Sequence, residues 1–307
     1  LKNIFANGGM RLDAASSRRK GIIMVLGGAS LWGASGVAVQ YLFEVQHLDP
    51  TWLASVRMLI AGIIMLFFHY HGGGDVFSIW QNARYRRQLV VFGIFGMMAT
   101  QYTYYLAINY GNAATATILQ YLMPVIVLVY SVWKRRRRPD HTEVLAVLLA
   151  MMGTYLLITK GQWDKLAISE ETLFWGVLSA FAMAFYTIQP KELLLKYSSA
   201  LVIGWSMVIG GGILTLMRRP WPFIGIWDLH TFLALVAVII FGTIIAFYTY
   251  LESTKYIKPS EVGALASVEP LSSVVLSVLL LNVDFGIPDS IGVACILGTV
   301  FLLSRQK

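Results

Sequence analysis

Residues 94–132 read IFGMMATQYTYYLAINYGNAATATILQYLMPVIVLVYSV, and residues 240–278 read IFGTIIAFYTYLESTKYIKPSEVGALASVEPLSSVVLSV. Laid on each other at an offset of 146, they match without a gap at 12 of 39 positions. The shared residues are Ile-Phe-Gly at 94–96 and 240–242, Tyr-Thr-Tyr at 102–104 and 248–250, and the pairs Tyr110/Tyr256, Leu119/Leu265, Pro124/Pro270, Val129/Val275, Ser131/Ser277 and Val132/Val278. The chain is a duplication, and self-similarity at a fixed offset constrains architecture before any single motif is read.

Both copies are apolar, as is the chain around them: 57% of its 307 residues are hydrophobic, 13% are charged, and the mean hydropathy is +0.66. A soluble domain of this size cannot bury that much apolar surface, so the chain belongs in a bilayer. Crossing the hydrocarbon takes about 20 apolar residues. Ten stretches qualify, at 21–43, 52–69, 89–108, 113–133, 143–159, 173–189, 200–217, 231–251, 260–281 and 288–304. They are continuous runs rich in Gly and Ala, where a membrane barrel would show short alternating segments. The expected fold is an all-α membrane protein of ten transmembrane helices.

A net charge of +8 raises the question of nucleic acid, which the distribution answers. With the N-terminus inside, nineteen of the 24 Lys and Arg fall on the cytoplasmic side, including Arg18, Arg19, Lys20, Arg84, Arg86, Arg87 and the run Lys134 to Arg138. Four fall outside, Lys160, Lys165, Arg218 and Arg219, and Arg57 lies within the second span. This is the positive-inside pattern, with both termini cytoplasmic in a multi-pass protein of the cell's inner membrane and no role for nucleic acid. Cys295 is the single cysteine and reads as packing in the last span. Residues 1–20 form a cytoplasmic segment, whose start before Arg18 is small and polar without a cleavable signal pattern.

The offset maps the third span onto the eighth and the fourth onto the ninth, a displacement of five. A copy displaced by an odd number of crossings runs through the membrane in the opposite direction, which makes an inverted-topology repeat. Gly21/Gly176 and Ala29/Ala184, at an offset of 155, extend the match to the first and sixth spans. The halves are residues 21–160 and 161–307, divided in the polar loop 160–172. Inverted repeats place a substrate near the midplane between them. Small-residue runs such as Gly33-Ala34-Ser35-Gly36 and Gly210-Gly211-Gly212 read as close helix packing.

Trp32-Gly33 in the first span, Arg57 in the second, AINYGNAATATILQYLMPV at 107–125 and SVEPL at 267–271 resemble the EamA branch of the drug/metabolite transporter superfamily. The resemblance covers all ten spans in order. It implies a ten-helix transporter of small metabolites, in bacteria often an exporter of amino acids or related compounds, and it names no substrate.

Glu269 stands out because it sits near mid-depth of the ninth span, where an ionised group is expensive and usually functional. Its repeat counterpart is Met123, so the equivalent place needs no charge for folding. It reads as a proton acceptor or a partner for a cationic substrate group, against a structural hydrogen bond to a neighbouring helix. Pro270 and Pro124 lack a backbone donor, which frees the carbonyls of Ala266 and Gln120 and breaks or bends both helices. Arg57 lies about 9 Å below the outer boundary. It would recognise a substrate carboxylate, with Glu269 as counter-ion in the empty state, or snorkel to the interface.

Trp32, Tyr102, Tyr104, Tyr186, Trp205, Tyr248 and Tyr250 are aromatic within spans, and Gln120 and Gln189 are polar at depth. Tyr102 and Tyr104, like Tyr248 and Tyr250, are about 200° apart on a helix, so one of each pair at most faces a cavity. The candidate substrate residues are Trp32, Arg57, Tyr102, Tyr104, Gln120, Tyr186, Tyr248 and Glu269, an apolar, aromatic set with a few polar groups, as small-molecule sites usually are. Glu252, Lys255, Lys258 and Glu261 read as solvated span ends. His69-x-His71 lacks the partners of a closed metal site, and Gly72-Gly73-Gly74-Asp75 lacks the strand and Lys-Ser/Thr of a phosphate loop; no metal or cofactor is expected. The reading is a secondary transporter, not an enzyme, exporting an amino acid or related small molecule by alternating access, with proton exchange open at Glu269. An exporter of organic cations or drugs is one alternative, and an intramembrane enzyme acting on lipid or peptide is another.

Overall fold

In the computed structural model, the described residues are 2–134, 136, 138–162, 167–217, 225–253, 256–257, 262 and 265–304, with residues 2–16 and 251 described by backbone alone. Arg135, Arg137, Lys165, Arg218, Arg219, Lys255, Lys258, Glu261, Arg305 and Lys307 lie outside them, so neither the full charge count nor the 252–261 turn can be followed there.

Among the described residues the longer helical segments are α1 (Lys2–Glu44), α2 (Pro50–His71), α3 (Ala83–Tyr110), α4 (Ala113–Lys134), α5 (His141–Thr159), α6 (Glu170–Lys196), α7 (Ser199–Met217), α8 (Leu229–Tyr250), α9 (Val268–Leu281) and α10 (Ile287–Ser304). The first eight contain helices long and apolar enough to cross a membrane; α9 and α10 are shorter apolar helices. No strand occurs among the described residues. Polar residues set the starts. Asp49 caps the Trp52 amide with Pro50 in the first turn, Asn82, Asn112, Ser169 and Asp228 cap likewise, and Asp140 and Glu143 form a reciprocal capping box.

The duplication recurs in the backbone. α3 carries a π-helical segment at Phe92–Met98 and α8 another at Ala237–Ile245, and adding 146 to the first gives 238–244, inside the second. α4 breaks at a turn over Tyr121 and Leu122, and residue 121 plus 146 is Ser267, the turn that precedes α9. Ser267 interrupts the ninth span between the helical Leu265 and Ala266 and the helix that runs from Val268, and Pro270 supplies no amide for the carbonyl four residues back.

The most extensive helix contacts keep their pattern when five is added to every helix number. α1 packs on α8 and α9, and α6 packs on α3 and α4; α2 packs on α7, and α5 on α10. The last two contacts rest on glycines. A Cβ at Gly62 would meet the Gly204 carbonyl at 2.8 Å, and one at Gly153 would meet the Gly292 carbonyl at 2.7 Å. Gly62→Leu is expected to separate α2 from α7 and lower the thermal midpoint in detergent, whereas Gly212→Leu, where a Cβ has open space, is expected to leave it nearly unchanged. Equal midpoints for the two variants would contradict the close crossing.

The face of the bundle holding Ser17 and Ser304, the terminal face, also joins α3 to α6 through Arg84 and Gln88 on Glu192 at 2.7 and 2.9 Å. At the opposite face Lys160 meets Asp284 at 3.4 Å and the buried Asp289 at 3.9 Å, tying α5 to α10.

Candidate functional site

A cavity of about 750 Å³ lies between the helices. Toward the terminal face it reaches Ser131, Glu143, Pro190, Leu194 and Leu303. Toward the opposite face its lining ends at Val39, Arg57 and Tyr105, beyond which Leu42, Phe43, Leu53, Ile108 and Ala113 belong to one buried core cluster. Gln40, 1% exposed, closes the same layer, accepting from the Ala113 amide at 2.9 Å and donating to Glu44 at 2.9 Å. The two ends of the cavity therefore differ: one is lined by helix ends, the other is sealed by a packed core.

Trp32, Arg57, Tyr104, Gln120, Tyr186 and Glu269 all line this cavity, as does Pro124. Tyr102 and Tyr248 do not. Tyr102 meets Trp175 edge to face with ring centroids 6.4 Å apart and its hydroxyl 3.5 Å from Thr51 Oγ1, and Tyr248 is 62% exposed on the outer surface. In their place stand Tyr105 and Tyr250, three and two residues further on. Pro270 is buried beside the cavity, not on it. Of the other residues at depth, Gln189 donates to the Gln88 carbonyl at 3.0 Å and so ties α6 to α3, and Trp205 donates to the Val76 carbonyl at 2.8 Å and so ties α7 to the turn before α3. His69 is held by Ser198 at 3.0 Å.

Arg57 neither snorkels nor pairs with Glu269. It is 6% exposed, its Nε donates to Thr243 Oγ1 at 2.6 Å, and its Nη1 donates to the Tyr105 hydroxyl. Thr243 stands within reach because α8 is π-helical there; its hydroxyl donates in turn to the Val238 carbonyl five residues back, at 2.9 Å. Two neutral hydroxyls fix the direction of the guanidinium, and no carboxylate among the described residues pairs with it. A buried cation without a carboxylate beside it is suited to an anionic ligand group.

Among the described residues Glu269 takes one partner, the Tyr121 hydroxyl, at 3.0 Å from Oε2. The same hydroxyl lies 2.7 Å from the Ala266 carbonyl, the one that Pro270 leaves without its helical donor. Tyr121 thus bridges the break in α4 to the break before α9. Between the two charges stands Tyr104, within electrostatic reach of both Glu269 and Arg57 and anchored at 2.7 Å to Thr117 Oγ1. Trp32, packed against Phe247 and Tyr250 at 4.9 and 4.8 Å between centroids, supplies an aromatic wall. Gln120, 9% exposed, presents its amide to the cavity with no described partner, and the Thr100 hydroxyl is buried at its edge without one. Tyr121, Tyr105 and Thr243 carry this geometry and were not singled out by the sequence. The first could have been found from its place three residues before Pro124.

Residues 19–159 and 171–305 each match the model of the EamA-like transporter family. The chain is similar to YicL of Salmonella typhimurium, described as an uncharacterized inner membrane transporter, with 40% identity over 95% of this chain and 97% of that one. It is 26% identical to an uncharacterized transporter of Archaeoglobus fulgidus over 94% and 100% of the two chains. It is 25% identical to the uncharacterized transporter YetK of Bacillus subtilis over 84% and 79%. A solved crystal structure superposes with a TM-score of 0.63 over 92% of this chain and 95% of its own at 19% identity, which shows a shared fold.

Proposed function

The chain belongs to the EamA-like transporter family and is a multi-pass membrane transporter, and from that premise we propose that it is a secondary transporter exporting amino acids or related small metabolites by alternating access. The observation that carries this is the cavity between α1, α3, α4, α6, α8 and α9, continuous to the terminal face and sealed at the other. With the Lys/Arg distribution putting the terminal face in the cytoplasm, the site stands ready to load from inside. The packing pattern that is preserved on adding five to each helix number supports two inverted five-helix halves, 21–160 and 161–307, making ten crossings. Two halves of like packing can exchange conformations and expose one site to each side in turn.

Arg57 favours a ligand carboxylate, and Glu269 favours a cation or a proton, so a zwitterion satisfies both. An organic cation lacking an anionic group would face Arg57 unpaired at some cost, which sets the drug-export alternative behind. Proton exchange is assigned to Glu269. In sealed vesicles, the protein is expected to give saturable flux of a labelled amino acid, and an imposed pH gradient is expected to change that flux in wild type and not in Glu269→Gln. No flux across amino acids, nucleotides, sugars and amines, together with a detected chemical product, would overturn the transport reading in favour of an enzyme.

A further inference from the structure

Three oxygens converge at the broken start of α9 with a single hydrogen between them. Tyr121 Oη is 2.7 Å from the Ala266 carbonyl oxygen and 3.0 Å from Glu269 Oε2. A phenol has one hydrogen to donate, an ionised carboxylate has none, and a carbonyl has none. If Tyr121 donates to Ala266, the carboxylate is left without a donor; if it donates to Glu269, the carbonyl that Pro270 has already deprived goes without. Tyr121 is the sole donor the described residues offer to the Glu269 carboxylate. All three groups line the cavity. Burying acceptors without donors costs free energy, so a cluster short of donors on a ligand cavity is a receptor for them.

The surroundings narrow what can supply the donors. Among the described residues the one basic side chain on the cavity, Arg57, is committed to Thr243 and Tyr105. Tyr104 on α3 and Tyr250 on α8 line the cavity within electrostatic reach of Glu269, and the Trp32 ring packs against that of Tyr250. Aromatic faces around a carboxylate favour a cation that also carries apolar surface.

We infer that the Glu269 carboxylate, the Ala266 carbonyl and the Tyr121 hydroxyl form a subsite for a primary ammonium group, R–NH3+, on the transported molecule. It rests on reading the cavity as the substrate site and deepens that reading. Three N–H donors meet three oxygen acceptors: one goes to Glu269, one to Ala266 and one to the Tyr121 oxygen, which is then free to give its own hydrogen to the carboxylate. A quaternary ammonium has no N–H. It can use the rings, but it leaves the oxygens as undersupplied as before, and a site built to hydrogen-bond rejects a ligand that lacks the donor. Tyr121 is a binding residue here, and Pro270 acts by exposing the carbonyl.

The test is direct binding to the purified full chain in detergent, read by calorimetric titration, with phenethylamine and its N,N,N-trimethyl derivative as probes. Phenethylamine is expected to bind at least ~10-fold more tightly than the trimethyl compound. Tyr121→Phe keeps the ring and removes the hydroxyl; it is expected to erase most of that preference while leaving the trimethyl compound's affinity where it was. Glu269→Gln is expected to weaken both, and if that variant fails to fold, Tyr121→Phe still decides. Equal affinity of the two amines for the wild type, no binding of phenethylamine at millimolar concentration, or an unchanged preference in Tyr121→Phe would each overturn the subsite. A response to sodium chloride but not to N-methylglucamine chloride, lost in Glu269→Gln and without amine discrimination, would assign the oxygens to a metal cation and overturn it too. Because binding is read without flux, failure here leaves the transport reading standing, and absence of flux with intact amine preference leaves the subsite standing.

Discussion

Arg57→Ala is expected to weaken binding of carboxylate-bearing ligands by roughly 30-fold or more while changing the affinity of the matching carboxamides by much less. Truncating one partner of a buried, hydrogen-bonded charge pair costs about 2–5 kcal/mol, and each 1.4 kcal/mol is about a factor of ten. Arg57 falls in this class because it is 6% exposed and its described partners, Thr243 and Tyr105, are neutral. A ligand carboxylate would be the first full negative charge to reach it. Arg57→Lys is expected to lose most of the effect as well, since an ammonium cannot hold Thr243 and Tyr105 and still present a fork of donors. Thr243→Val, which leaves the charge and removes one tether, is expected to give an intermediate loss. Titration of one amino acid and its amide against the four proteins reads this out. Equal losses for acid and amide would make Arg57 a structural residue tying α2 to α3 and α8.

Much of the fold was legible because the repeated residues sit where the backbone departs from a regular helix. Ile-Phe-Gly at 94–96 and 240–242 lies within the two π segments, and Pro124 and Pro270 each follow a turn by three residues. What the prolines do was readable, since a missing amide always frees the same carbonyl; what would answer that carbonyl was not, because Tyr121 reaches Ala266 across 145 residues of chain. The π segments were not readable at all. Each accommodates an extra residue in a turn and so shifts the phase of everything after it by about 100°. Helical spacing upstream therefore cannot say which tyrosine of a pair faces inward. Tyr248 was expected at the cavity and Tyr250 stands there, both just beyond the segment that ends at Ile245. Arg57 shows the same limit from another side. A carboxylate on a facing span looked like its natural counter-ion, and the structure gives it a threonine 186 residues away within a π-helical segment.

Gly33→Ala, the addition of one methyl group, is expected to destabilise the protein by about 1–3 kcal/mol and to weaken ligand binding at least ~10-fold through displacement of α9. A Cβ at this position would lie 2.5 Å from the Glu269 carbonyl, 2.8 Å from Ser272 Cβ and 2.9 Å from the Ser273 amide nitrogen. Two of these three are backbone atoms, which cannot rotate away as a side chain would. α1 would have to back off, and it has nowhere to go. On its other side Gly28 has Thr249 Oγ1 at 2.8 Å and the Ala246 carbonyl at 3.0 Å from where a Cβ would stand, so α8 already touches it. The relaxation falls on α9, and with it move Glu269, the Ala266 carbonyl and the spacing to Tyr121. Trp32, the adjacent residue on α1, faces the same cavity. Gly27→Ala is the control within the same helix, because a Cβ there has nothing within 4 Å. It is expected to match wild type in thermal midpoint and in ligand titration. Should Gly33→Ala also match, α1 and α9 are not in backbone contact, and the geometry assigned to Glu269 would lose its support; should it lower the midpoint without touching affinity, the contact holds the fold but does not position the site.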